Sequence, residues 1–426
     1  MPVQQFYKDF MLPKKKVIPS DDAFRAHAAT LRDAGRSSSH FVERMTTTGL
    51  CKDLKFVDTS TQCAVSTKTA QISVYSARTC GDLPSHCDWN MQSFVIKLMP
   101  FHFDPFCAQA DPSRPLKDQQ FIRFKQDFVR DRLIAHIIAV QQCQYRTHCF
   151  ALVLLGKHHA RFLRWDRGGI VVTDRFDFRD AAHSHYLPKF LWLYDNLTEI
   201  QRGHDPTVSS PSDNEKQNAW AALHSRYPNI PVTVADSFRQ LEVHAHNGKR
   251  LYVVGEPYRS QRTPFGRDTE WFIAYGVTEG RLVYLKDSWC IDECGFMREG
   301  ETYRRLHAHG VPFIPTLVCY GDVPDQNTMT HNYMDQEWCF GARDLLRYQH
   351  IRLVVNEISA DIRDLGMKGI TMVMLDILQA QDKAMDAELL HGNISDTSIT
   401  VDENGKGLLV DWDLARYHPK TKATAT

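Results

Sequence analysis

The stretch that most constrains this chain lies near its C-terminus. His391-Gly392-Asn393-Ile394-Ser395-Asp396-Thr397-Ser398 is polar and is followed by Ile399-Thr400-Val401. An acidic turn, Asp402-Glu403-Asn404-Gly405-Lys406-Gly407, leads to Leu408-Leu409-Val410 and then Asp411-Trp412-Asp413. An Asn-Gly step between two apolar runs signals a hairpin, because both residues accept the positive φ of a tight turn. The spacing predicts a loop, a short strand, a turn and a second strand that delivers Asp411 at its end. A carboxylate fixed there is well placed as a metal ligand, and the same pattern also suits a surface hairpin with an acidic exit.

With 426 residues the chain can hold two or three domains, each with its own core. Lys plus Arg and Asp plus Glu number 51 each, so no global field draws it to nucleic acid or to an anionic membrane. Eleven cysteines, scattered mostly through apolar runs, predict free buried thiols in a reducing compartment. Cys290 and Cys294 are the closest pair, but one C-x3-C without a second pair is a poor zinc signature. The N-terminus lacks the apolar stretch of a secretory signal, and no run approaches the roughly 20 apolar residues that cross a bilayer. The expectation is an intracellular protein, cytosolic or nuclear, that meets no membrane.

Residues 1–45 are polar and charged, with a helical patch over 21–34 that Gly35 would end, and read as a peripheral, partly disordered lead-in. From 46 to 200 the pattern turns globular. Strands are expected at 94–98 and 149–155, and a helix over roughly 118–142 with Phe128, Leu133, Ile137 and Ile138 broadly on one face. Runs 160–165 and 170–176 flank Asp166-Arg167-Gly168-Gly169, a second hairpin, around which Arg164 and Asp166 are expected to pair and orient Trp165. Strands with an intervening helix make this half α/β or α+β. Residues 201–222 have linker composition, rich in Ser, Pro and charge. Residues 223–426 begin with short strands at 251–254, 271–275 and 281–285, the last delivering Lys286. A helix over 298–306 turns Tyr303 and Leu306 inward. A strand at 350–357 then leads to a hinge, and a helix over 370–390 runs into the His391 loop. The overall class is α+β.

These segments resemble protein kinases, and their wording is closest to the fungal-type protein kinase family. That family reads roughly HRDIS-x-x-N-I and then GLLIDWDLA, where this chain reads HGNISDTSITVDENGKGLLVDWDLAR. The family phrase RlxRWDRsGaivt stands here as Arg161-Phe162-Leu163-Arg164-Trp165-Asp166-Arg167-Gly168-Gly169-Ile170, and LKDSW with EGExYxxL also match. The resemblance covers most of the chain. It implies a kinase-like fold that binds ATP and Mg2+ and transfers phosphate to a Ser or Thr hydroxyl of a protein, whose identity the sequence does not give.

By that resemblance, Lys286 and Glu299 form the strand–helix ion pair that holds the nucleotide phosphates, with Glu301 as the substitute partner. Gly266, in Phe265-Gly266-Arg267-Asp268-Thr269, belongs to the phosphate loop, where the family reads near fGRgT and Asp268 replaces the second Gly. One added negative charge ~5 Å from a phosphate, at an effective dielectric near 20, costs on the order of 3 kcal/mol before screening. Half of that weakens ATP binding about tenfold. His391 opens the catalytic loop, Asn393 stands at the base position, Ser398 stands where a metal-binding Asn belongs, and Asp411 is the metal ligand that is kept. Asn393 cannot take a proton, which costs roughly 10²–10⁴ in rate. The sequence reaches Thr426 before an activation segment and the remaining large-lobe helices. An incomplete large lobe is therefore expected, with an apolar face left open on the helix before His391 and phosphotransfer impaired or absent. A scaffolding pseudokinase and a truncated gene product are the alternatives.

The N-terminal domain resembles the restriction-endonuclease-like fold in its order of strand, Lys, helix and Gln/Arg. Its E-x-K position reads Val95-Ile96-Lys97, and Asp88 with Lys97 alone cannot hold a divalent cation. A folded, non-catalytic interaction domain is expected, without nucleic-acid cleavage.

Overall fold

The computed structural model describes residues 1–60, 71–78, 87–107, 115–229, 232–261, 263–293, 296–339, 345–356, 360–361, 365–402 and 404–418. Two units divide the chain: Met1–Pro206 with Met329–Leu345, and Thr207–Thr328 with Leu346–Thr426. Cys294 and the hinge expected at residue 357 lie outside the described residues.

The first unit opens with helices α1 (Val3–Phe10), α2 (Asp21–Leu31) and α3 (Ser38–Thr48). Strands β1 (Leu54–Asp58), β2 (Gln71–Ser76) and β3 (Gln92–Met99) precede helix α4 (Leu116–Cys143). Then come β4 (His148–Leu155), β5 (His159–Asp166), β6 (Gly169–Val172), β7 (Phe176–Asp177) and helix α5 (Tyr186–Asn196). The strands make one sheet, β1-β2-β3-β4-β5-β6, with β7 beside β5. Among the described strands of this sheet, only β3 and β4 run parallel. A parallel pair needs a long crossover, and α4 supplies it.

The lead-in expected at the periphery is instead part of this core. Val3, Phe6, Tyr7 and Phe10 fall on one face of α1 at helical spacing. They pack with Phe24, Phe41, Phe150, Phe162 and Phe190, and Phe6 and Met11 are fully buried. A few large aromatics do this among many charges, so composition hides it. On α4, Leu133 and Ile137 are buried as expected, but Phe128 is exposed.

Asp166 closes the first unit. It is 1% exposed and accepts a hydrogen bond from Arg164 Nη1 at 2.8 Å. It also accepts from the backbone N–H of Gly168 (2.9 Å), Met329 (2.9 Å) and Thr330 (3.1 Å), and from the Thr330 hydroxyl (2.8 Å). The expected Arg164–Asp166 pair is present, and the same carboxylate also anchors a segment from far along the chain. Tyr333 adds a hydrogen bond to Asp9 at 3.0 Å and an edge-on contact with Phe10.

The second unit starts with β8 (Val208–Ser209) and helix α6 (Asp213–Arg226), within and beyond the segment expected as a linker. Ser212 and Glu215 cap α6 reciprocally. Capping residues and linker residues are the same polar types, which is why composition misled here. There follow β9 (Arg239–Ala245), β10 (Gly248–Val254), β11 (Arg259–Gln261), β12 (Thr269–Gly276), β13 (Arg281–Ile291), helix α7 (Glu299–Ala308), β14 (Leu317–Asn327) and β15 (Tyr348–Asn356). They form an antiparallel sheet in the order β14-β15-β13-β12-β10-β9-β8, with β11 beside β12. β14 curls back against β9: a Cβ on Gly321 would stand 1.8 Å from the His244 carbonyl oxygen, so only glycine fits.

The remainder comprises β16 (Ala360–Asp361), helix α8 (Met367–Asp386), β17 (Leu389–Leu390), β18 (Ile399–Val401), β19 (Gly407–Leu409) and β20 (Arg416–Tyr417). The Asn-Gly hairpin is β18–β19, paired Ile399 to Leu409. Val373, Ile377, Ala380 and Ala384 of α8 are buried, whereas Met372, Met374, Leu375 and Leu378 are exposed. The open apolar face expected on this helix is thus observed.

Replacing Asp166 with alanine would leave the buried Arg164 charge unpaired, so Asp166→Ala is expected to cost about 3–5 kcal/mol in chemical denaturation. A cost near zero would remove Asp166 from this role.

Candidate functional site

Alternation along β13 sends Lys286 to one face of the sheet and Asp287 to the other. Lys286 is 1% exposed, and a lone ammonium there would be prohibitive. It donates to Glu299 Oε2 of α7 and to Asp411 Oδ1, both at 2.7 Å, and lies 5.2 Å from the centre of the Trp271 ring. Burial disfavours its charge, but Asp411, Asp413 and Glu299 outweigh that and hold its pKa well above the usual lysine value. Glu299 is equally buried and uses its other oxygen to accept the Trp412 N–H at 3.0 Å. Glu301, the substitute, is exposed and pairs instead with Arg304 (3.1 Å) and the Tyr320 hydroxyl (2.9 Å).

Asp411 ends the β19 run in a left-handed backbone conformation, φ 63° and ψ 51°. Such a conformation in a non-glycine residue is held only by its surroundings and is common at functional sites. The fully buried Trp412 supplies the hold, packing edge-on to His391 and donating Nε1–H to the Leu409 carbonyl at 2.9 Å.

His391 is fully buried. Its Nε2 donates to the Val410 carbonyl at 2.8 Å and its Nδ1 accepts the Asn393 N–H at 3.3 Å, which defines a neutral tautomer. Burial, the largest influence, lowers its pKa below the ordinary 6.5. Gly392 has φ 82°, and a Cβ there would lie 2.8 Å from the Leu414 carbonyl oxygen, which excludes the Arg found in the kinase pattern. Asn393 is exposed on the loop. Ser398, 1% exposed, accepts the Ser395 N–H (2.8 Å) and donates to the Ser395 carbonyl (3.0 Å). Its hydroxyl caps the loop, so Ser398 is committed to structure.

The Gly266 loop joins β11 to β12. The Arg267 carbonyl accepts the Trp289 N–H at 2.7 Å, and Asp268 accepts the Thr263 N–H at 3.2 Å. Arg267 reaches out of this loop to Asp413, Nη1 to Oδ2 at 2.6 Å, and Arg259 of β11 bonds the Thr397 carbonyl. Beside them is a cleft lined by Tyr258, Arg259, Trp271, Tyr284, Ile399, Thr400 and Val410. The aromatic and apolar lining suits the face of a planar aromatic group. Arg267, Asp413 and the aromatics were not singled out from sequence. Opposite charges in the two motif segments, GRD and DWD, were the available signal.

The unit therefore brings Lys286, Glu299 and Asp411 together, sets Gly266 in the loop opposite, and leaves Asn393 in solvent. Asp411 and Asp413 offer the carboxylate oxygens that Mg2+ prefers, while burial, the largest influence, raises the Glu299 carboxyl to about 7 despite Lys286.

No protein-family model and no curated protein matches the chain. Among solved structures, a ROP18 kinase domain in complex with AMP-PNP and sucrose is similar at 15% identity and TM-score 0.29, covering 50% of this chain and 68% of that one. ROP2 from Toxoplasma gondii, described as a virulence factor with a protein-kinase fold and no enzymatic activity, is similar at 10% identity and TM-score 0.27, covering 49% and 61%.

Because the folded His391 binds its proton less tightly than the unfolded one, its contribution to stability is complete above pH 6.5 and is lost as pH falls through its lowered folded pKa. Wild type should lose up to about 1.4 kcal/mol per pH unit in that window relative to His391→Gln, which keeps a donor but does not titrate. Parallel urea-denaturation profiles for the two proteins would refute this.

Proposed function

We propose that the second unit is a protein-kinase-like module of the fungal type that binds ATP with Mg2+ and transfers phosphate poorly or not at all. The observation that carries this reading is the meeting of Glu299 and Asp411 on the Lys286 ammonium, both at 2.7 Å. A strand lysine, a helix glutamate and a hairpin-end aspartate are the parts with which kinases grip phosphates and metal. Lys286 would contact the phosphates, Glu299 would keep it in place, the Gly266 loop would cover them, and the base would enter beside Trp271 and Tyr284. Asp411, with Asp413, would hold Mg2+. Bound Mg2+ supplies charge neutralisation between the phosphate oxygens.

Impairment follows from the loop. Asn393 offers no basic oxygen to a substrate hydroxyl, and Ser398 is already used in a cap. Arg267 already occupies Oδ2 of Asp413, which leaves Oδ1 for a metal. A Ser or Thr hydroxyl of a protein remains the acceptor class for any residual transfer. A scaffolding role is the second reading, favoured by the exposed Met372, Met374, Leu375 and Leu378 on α8. The free cysteines among the described residues support an intracellular setting.

ATP with Mg2+ is expected to raise the unfolding temperature, ATP alone much less, and Lys286→Ala or Asp411→Ala to erase the shift. Saturation at 100 times Kd corresponds to about 2.7 kcal/mol. No shift at saturating ATP and Mg2+ would end the nucleotide reading. Robust phosphorylation of a generic protein substrate, lost in Asp411→Ala, would end the impairment reading.

A further inference from the structure

We propose that His158, His159 and Asp177 of the first unit form a site for a first-row transition-metal dication, with Zn2+ as the natural occupant. The three residues each present one ligand atom, and those atoms lie within 4.8 Å of one another. Their placement follows from the sheet. β5 and β7 pair His159 directly opposite Asp177, which brings His159 Nε2 to 3.9 Å from Asp177 Oδ2. His158 sits on the β4–β5 turn, its backbone fixed where its carbonyl accepts the Phe178 N–H at 2.9 Å, and its ring centre is 4.7 Å from that of His159. Tetrahedral zinc with bonds of about 2.0–2.1 Å needs ligand atoms roughly 3.4 Å apart, which small side-chain rotations reach.

The ligands are held as metal ligands usually are. Arg179 donates Nη2–H to Asp177 Oδ2 at 2.9 Å and its backbone N–H to Oδ1 at 2.8 Å, orienting the carboxylate. A carboxylate has about four acceptor positions, so Oδ2 retains one toward the histidines. The Phe101 ring, 4.6 Å from His159, supports that imidazole from the side. Two imidazoles select zinc and its neighbours over Mg2+ or Ca2+. Three protein ligands leave a coordination position open to water or an outside ligand, because all three residues are partly exposed.

The test is a Zn2+ titration of the full chain by calorimetry, paired with thermal unfolding. One Zn2+ per chain is expected, with a raised unfolding temperature. His158→Gln, His159→Gln and Asp177→Asn should each weaken the dissociation constant at least about tenfold, whereas His183→Gln should not. His158 lies on a partly exposed turn, so His158→Gln decides the matter if another variant fails to fold. Wild-type affinity in His158→Gln, equal loss in His183→Gln, or no saturable one-to-one binding would overturn the site.

Discussion

The buried ammonium of Lys286 is the constraint on which the rest of the second unit depends. A cation with 1% exposure survives only with partners fixed in place, and those partners come from α7 and from the end of β19. Tyr303 and Leu306 bury α7 against the sheet and so position Glu299. Trp412 and His391 lock the turn that presents Asp411. The ion pairs thus tie helix, sheet and hairpin together. A site assembled this way is closed upon itself, with Glu299 and Asp411 both committed to the Lys286 ammonium.

The opposite face of the same strand holds a second buried polar cluster. Asp287 accepts from Arg352 Nε at 3.1 Å and is bonded to His350, while Arg352 Nη1 donates to the Thr207 hydroxyl (2.7 Å) and the Glu242 carbonyl (2.8 Å). Burial would raise the Asp287 carboxyl, but His350 and Arg352 outweigh it and hold it down to about 2. One cluster is shared with the cleft and the other joins β13 and β15 to β9. A single strand, β13, therefore carries adjacent residues with opposite charge into two different buried settings.

Much of this was legible in the sequence because it depends on period and local chemistry. The Asn-Gly turn, the apolar run that carries Lys286 (though β13 continues past it to Ile291) and the 3.6-residue spacing of Glu299, Tyr303 and Leu306 all follow from patterns within a few residues. Part of what escaped involves partners distant in sequence. The 1–45 helices are core because a handful of aromatics meet strands a hundred residues away. The capping box at Ser212 reads as linker because caps and linkers share residue types. Arg267 finds Asp413 through tertiary placement that spacing alone does not encode, whereas Ser398 turns back on Ser395 in a local cap that the motif comparison passed over. Gly392 is the converse case: an unusual residue in a familiar motif, explained by one close carbonyl.

The Asp166 clamp has a consequence for the order in which this chain can be built. Its bonds reach residues 329 and 330, beyond seven described strands and two α-helices of the other unit. During synthesis the N-terminal sheet emerges long before Met329 does, and until then Arg164 is the cationic partner of a carboxylate whose remaining acceptor positions wait for backbone not yet made. The first unit is therefore finished only late in translation, and no single cut of the polypeptide yields it whole.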